Sequence, residues 1–185
     1  MEVVARGVAE PVVGGERTEV NPAGFEIHSA VYAARPDAQC VIHIHGRDGT
    51  AVASSKEGLL PISQAAMTIQ HDIGVHDYTS TIKRSLREKL AADLGSKNYM
   101  LMRNHGTLCV GSSPGEAFAR IYSLEWACGV QVRLLGGGMT PVYASEELRA
   151  GIGAQADRAQ PPIIRNLMWP ALRRMLDRQG SDYAD

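Results

Sequence analysis

The sequence predicts a layered α/β domain. Three observations carry that prediction. Short apolar strand patterns alternate with helix patterns along the chain. Two of those strands, one ending in Val41-Ile42-His43-Ile44-His45-Gly46 and the other in Tyr99-Met100-Leu101-Met102, run into glycine turns that carry histidine. Between them Ile82, Leu86, Leu90 and Leu94 recur every four residues, with Lys83, Arg84, Arg87, Glu88 and Lys89 interspersed, which is the pattern of an amphipathic helix.

The elements follow in order. Residues 1–20 set short valine-rich pieces around Gly14-Gly15 and read as a β segment or hairpin at the edge of the fold. Asn21-Pro22 opens a helix, because asparagine caps well and proline is tolerated at the first helical position. Phe25, His28, Val31 and Tyr32 form one face of it, and Arg35-Pro36-Asp37 stops it. A strand follows from about Gln39 to His45, then a turn over residues 46–49 and a short helix over 50–55. Leu59-Leu60-Pro61-Ile62 reads as a brief buried strand, residues 63–69 as a short helix, and residues 73–78 as a strand meeting polar residues. The helix of residues 81–94 ends at Gly95. Tyr99–Met102 is apolar throughout, as a strand buried on both faces should be. Residues 107–111 form another strand. Ser113-Pro114-Gly115-Glu116 is a capping box that launches a helix to about Leu135, stopped by Gly136-Gly137-Gly138. Ser145 caps a helix to about Arg149, Pro161-Pro162 breaks the chain, and a last helix spans residues 163–178 with a bend at Pro170.

Bulk properties narrow the function. A chain of 185 residues is read as one domain, residues 1–185. The net charge is −1 and no basic stripe exists, which argues against nucleic acid. No apolar run reaches the roughly 18 residues of a membrane span, and the N-terminus lacks a signal-peptide layout. Cys40, Cys109 and Cys128 are odd in number and scattered, so they read as reduced thiols in a cytoplasmic protein.

The chemistry lies in the histidines. In a strand, residues two apart share a face, so His43 and His45 project together. His105, in Arg103-Asn104-His105-Gly106, offers a third imidazole from a tight turn. Three histidines leave an open coordination position, as catalytic zinc sites do. The bland alternative is three unrelated histidines with ordinary hydrogen bonds. His76, Asp77 and Tyr78 cluster at a strand end and offer a proton donor or a further ligand, against the simpler reading of a hydrogen-bonded turn. His28 reads as a core or supporting residue and His71-Asp72 as a surface pair. Arg47 could meet an anionic substrate, Arg103 and Asn104 shape the His105 turn, and Glu125 and Trp126 read as packing or interface residues.

Taken together, the stretch from Asn21-Pro22-Ala23-Gly24 through Arg35-Pro36-Asp37, then Cys40 to His45, Leu59 to Ser63, His76-Asp77-Tyr78 and Arg103 to Gly106, resembles the class II aldolase/adducin family, its adducin-like branch most of all. Trp169-Pro170-Ala171-Leu172-Arg173-Arg174 is similar to the tail of bacterial members. The resemblance implies a three-layer αβα sandwich around a mainly antiparallel sheet. It also implies a divalent metal, commonly zinc with manganese or iron as alternatives, held by His43, His45 and His105. Its enzymes cleave or rearrange small hydroxy-carbonyl compounds, using the metal to polarise adjacent oxygens while a carboxylate moves protons. Many members are homotetramers.

Two departures bear on mechanism. The position of the family's acid/base glutamate, 19 residues before His43, is Gly24 here. Glu26 is the nearby candidate, but two residues along a helix turn a side chain through about 200°. Tyr78 is the other catalytic candidate. The chain also starts late against the family, without the loops that hold a substrate phosphate, so it reads as a short form or a mis-assigned start. The expected function is a metal-dependent lyase, aldolase or decarboxylase in type, acting on a small hydroxy-carbonyl or carboxylate compound. The alternatives are a non-catalytic adducin-like binding domain and a redox enzyme with iron on the same imidazoles.

Overall fold

The structure, a computed structural model, describes residues 2–3, 12–13, 16–17, 22–77 and 84–182. Its elements are β1 (Glu2–Val3), β2 (Val12–Val13), β3 (Glu16–Arg17), α1 (Pro22–Ala34), β4 (Cys40–Ile44), α2 (Arg47–Ala53), α3 (Gln64–Ile69), β5 (Ile73–His76), α4 (Arg84–Leu94), β6 (Tyr99–Met102), β7 (Gly106–Gly111), α5 (Pro114–Gly136), α6 (Glu146–Ile163) and α7 (Trp169–Arg178). Five strands form one sheet in the order β1-β4-β7-β6-β5, and β2 pairs with β3 apart from it. Among the described strands only β5 and β6 run parallel, so the sheet is mainly antiparallel as expected.

Period-two alternation sorts the strand residues into two cores. Val41, Met100, Met102, Leu108 and Val110 pack with Val31 of α1 and with Leu90 and Leu94 of α4. Cys40, Ile42, Tyr99, Leu101 and Cys109 pack on the other side with Val52 of α2, Ile69 of α3 and Leu124 of α5. The apolar sequence of β6 is explained by that arrangement, since all four of its residues are buried between helices. The three cysteines are buried in the second core and unpaired, and burial raises the pKa of each thiol.

Several expectations need correction. Leu59–Ile62 is not a strand: the backbone N–H of Leu60 donates to Gln131 Oε1 at 2.7 Å, and Gln131 Nε2 donates to the Gly58 carbonyl at 2.9 Å. A buried side-chain amide from α5 thus satisfies the groups that a neighbouring strand would have taken. The turn after His45 is the first turn of α2, which begins three residues early with Gly46 as its cap. Most of all, α6 continues past Arg149 and through Pro161-Pro162 to Ile163. The chain then widens into a π-helical stretch, Ile164–Met168, before α7. Proline removes an i→i−4 bond, and a local π turn after the pair absorbs the loss instead of a break. Pro170 sits in the first turn of α7, where its missing N–H has little consequence. Described residues contain no helix long and apolar enough to cross a membrane.

Candidate functional site

The site lies where β4, β6 and β7 end together. His43 is on β4, on the same face as Val41, and His45 follows one residue past the strand. His105 stands in the turn between β6 and β7. Asn104, just before it, adopts a left-handed conformation (φ 54°), which asparagine tolerates better than most residues. Gly106 is required by a close approach: a Cβ there would lie 2.3 Å from the Ile44 carbonyl oxygen. Without a side chain, β7 can start hard against the end of β4 and carry His105 to His45. Arg103 holds the other side of this turn. Its backbone N–H donates to the His76 carbonyl at 2.8 Å, and its guanidinium bonds the Ala53, Ser55 and Lys56 carbonyls at the end of α2.

The three imidazoles converge. Ring centroids are 4.8 Å apart for His43–His45, 4.8 Å for His43–His105 and 4.7 Å for His45–His105. One ring nitrogen from each lies within 4.8 Å of the others. His43 is buried, His105 half-buried and His45 exposed, so the cluster opens outward at His45. His43 Nδ1 lies 2.9 Å from the Thr107 carbonyl oxygen. A carbonyl only accepts, so Nδ1 carries the proton and Nε2 presents a lone pair. That Nε2 is 3.0 Å from His45 Nε2.

Burial and neighbouring groups disfavour the charged forms of His43 and His105. Burial pushes His43 down to about 4, and the neighbouring His105, His45 and His28 push the same way against the Thr107 bond. His105 is lowered by burial, then by His45 and His76. Imidazoles that are neutral near pH 7 are the form that ligates metal. Nitrogens around one zinc-sized ion stand about 3.4 Å apart, given Zn–N bonds of about 2.0–2.1 Å. The His43–His45 separation of 3.0 Å is close to that value and all three nitrogens lie within 4.8 Å of one another, so the residues present fit a small divalent cation.

The other candidates are placed as follows. Glu26 lies on α1, where its Oε2 is 3.5 Å from Arg87 Nε of α4. Tyr78 lies outside the described residues. Gly24, at the position where the resemblance calls for a glutamate, is buried. His28 is fully buried on α1. His71 pairs not with Asp72 but with Asp157 of α6, at 3.0 Å. Arg47 is exposed in the first turn of α2. His76 is buried at the end of β5, and its Nδ1 lies 2.7 Å from Asp93 Oδ2, which also takes Lys89 Nζ at 2.8 Å. Sequence reasoning did not single out Asp93, Thr107 or Gln131. Thr107 acts on His43 through its backbone, which no side-chain pattern encodes. Asp93 could have been suspected, as the polar position facing inward one residue before Leu94. A cavity of about 510 Å³ lies elsewhere, lined by Asp72, Tyr99, Arg120 and Asp157 among others, and no histidine of the cluster borders it.

The chain is similar to known proteins of one family. The Class II Aldolase and Adducin N-terminal domain matches residues 2–132. A Caulobacter vibrioides protein described as aldolase class 2 is 42% identical over 172 residues, which is 90% of this chain and 65% of that protein. Mouse alpha-adducin is 40% identical over 180 residues, covering 90% of this chain and 24% of its own length. Among solved structures, L-fuculose 1-phosphate aldolase from Glaciozyma antarctica superposes with a TM-score of 0.77 at 27% identity, over 94% of this chain and 67% of that one. The chain therefore spans about two thirds of the length of its bacterial relative, and a quarter of the adducin. With the αβα sheet, the histidine cluster and a matching domain over most of its residues, the chain belongs to the class II aldolase and adducin family.

Proposed function

We propose that the chain is a metal-dependent lyase, with His43, His45 and His105 holding one divalent ion, and that its substrate is a small hydroxy-carbonyl or carboxylate compound. The observation that carries this reading is the convergence of three imidazoles at an opening in the surface. Zinc is favoured, because an all-nitrogen set of three leaves a fourth position for substrate, while iron and manganese are the alternatives. When bound, such an ion polarises substrate oxygens and stabilises negative charge that develops on them. The chain's own contribution is to hold the imidazoles in their ligating form, through the Thr107 carbonyl on His43 and the placing of His105 by Asn104 and Gly106. The likeness to an L-fuculose 1-phosphate aldolase supports carbon–carbon bond chemistry. With glycine at position 24, a decarboxylation, which needs no carboxylate base, suits the site better than sugar-phosphate cleavage.

A homo-oligomer, tetrameric by resemblance, belongs to the same reading, as does a cytoplasmic setting. Tyr122 and Trp126 leave aromatic surface exposed on α5, and three unpaired thiols suit a reducing compartment. The second reading, a binding domain without catalysis, is favoured by 40% identity to alpha-adducin. Metal content per chain, measured on protein purified without a histidine tag, separates the two. About one ion per chain, lost in His43→Ala, is the expected result. Folded protein that refuses added zinc, manganese and iron would overturn the lyase reading and leave the binding domain.

A further inference from the structure

Glu125 sits on α5, on the face of the sheet opposite His43, yet its carboxylate reaches the segment that carries the histidines. Its Oε1 accepts from Thr107 Oγ1 at 2.7 Å, and its Oε2 accepts from the backbone N–H of Gly49 at 3.2 Å. Gly49 is in the first turn of α2, where backbone N–H groups have no intrahelical partner. The cap residue of that helix, Gly46, has no side chain to offer and makes no side-chain cap bond. Glu125 therefore caps α2 from another helix, and it places a carboxylate at the positive end of the helix.

The space for this carboxylate is built into the sequence. A Cβ at Gly46 would lie 2.2 Å from Glu125 Oε2, and one at Gly49 would lie 2.0 Å from Oε1. Both glycines of the Gly46-Arg47-Asp48-Gly49 turn are thus emptied where the carboxylate enters. The two bonds lead to two different ligands. Gly46 directly follows His45, so fixing the start of α2 fixes the backbone that aims His45. Thr107 is the residue whose carbonyl accepts the hydrogen bond from His43 Nδ1–H, so the Thr107 side chain and main chain couple Glu125 to His43.

We infer that Glu125 is a positioning residue for the three-histidine centre, acting as a two-pronged clamp that sets the mutual geometry of His43 and His45. This rests on the metal-site reading above. It assigns Glu125 no contact with substrate. Its effect is on how tightly and in what geometry the imidazoles hold a cation, as outer partners of metal ligands generally act.

The test uses the full chain, stripped of metal with a chelator and titrated with Zn²⁺ against a competing indicator, and separately with Co²⁺ while the visible ligand-field spectrum is recorded. Glu125→Gln keeps the volume but presents an N–H₂ to one of the two donors. Thr107→Val keeps the shape and the backbone carbonyl while removing one prong. Each is expected to weaken Zn²⁺ binding, by roughly 10- to 100-fold for Glu125→Gln and less for Thr107→Val. The Co²⁺ spectrum at saturation should differ from wild type, and thermal unfolding of the metal-free forms separates positioning from general destabilisation. Unchanged Zn²⁺ affinity in folded variants overturns the inference. So does a wild-type Co²⁺ spectrum with affinity falling only in step with metal-free stability, since that is a purely structural role. Failure of the wild-type chain to bind either ion is distinct: it removes the centre itself, and with it both the metal-site reading and the clamp.

Discussion

The two ends of the central sheet handle polar groups in opposite ways. At the end where β4 begins and β7 finishes, Arg35 is buried and fully engaged. Its guanidinium bonds the Asp37 carboxylate at 2.7 and 2.8 Å, Asn98 Oδ1 at 3.1 Å and the Lys97 and Gly95 carbonyls. Asn98 in turn donates twice to Asp72. Opposite charges there reinforce each other: the Arg35 bond holds Asp37 down at about 2, and Asp37 raises Arg35. At the other end three bases face one another, and the cluster contains no carboxylate. Burial first, and then the neighbouring imidazoles, disfavour the charged forms of His43 and His105. A network that consumes its own hydrogen-bonding capacity is a latch. A network of like groups with lone pairs left over is poised to accept a cation.

Breaking the latch should have the largest effect. Arg35→Leu strands two backbone carbonyls and Asn98, and is expected to cost roughly 2–4 kcal/mol in urea unfolding. A loss under about 1 kcal/mol would mean the latch holds little. The pH dependence comes next. His43 falls from an ordinary 6.5 to about 4 on folding, so between those values the unfolded chain binds more protons. Its contribution is present above pH 6.5 and lost as pH falls to 4, by at most about 3 kcal/mol. His43→Gln should flatten that window in metal-free protein. Asp37 belongs to a lower one, its contribution being lost as pH falls from 3.8 through about 2. A double-mutant cycle probes the clamp: Gly46→Ala should cost about 1–3 kcal/mol alone, and much less beside Glu125→Ala, which vacates the space. The smallest effect belongs to Glu26→Gln, whose pair with Arg87 is partly exposed. Stability should move by under about 0.5 kcal/mol. A collapse of turnover in that variant would instead mark Glu26 as catalytic.

What the sequence made legible follows from periodicity. The alternation in β4 and the His43–His45 pair are period-two features, and a period-two pattern survives into any sheet. The Ser113 capping box and the long helix after it were equally direct, since cap chemistry is local. The errors have other causes. Leu59–Ile62 has strand-like composition, but its hydrogen-bond partner is a glutamine more than seventy positions away. Pro161-Pro162 ordinarily ends a helix, yet here the following π turn accommodates it. Glu125 reads as a packing or interface residue until Gly46 and Gly49 are seen to leave room for its carboxylate. The Leu59–Ile62 and Glu125 misses depend on partners far off in the chain, which pattern reading does not reach, whereas the proline pair is accommodated by the π stretch that directly follows it.

The register of β4 on β7 carries a kinetic consequence. Cys40 pairs with Gly111 and Ile44 with Thr107, joining positions roughly 60–70 residues apart, while β6 and β7 are joined by a short turn. Closing so large a loop costs chain entropy before any contact repays it, more than the short turn between β6 and β7 does. His43 and His105 stand at the mouth of that closure. A cation held between them would act as a removable crosslink across the longest-range seam in the sheet, slowing its opening far more than it speeds its formation.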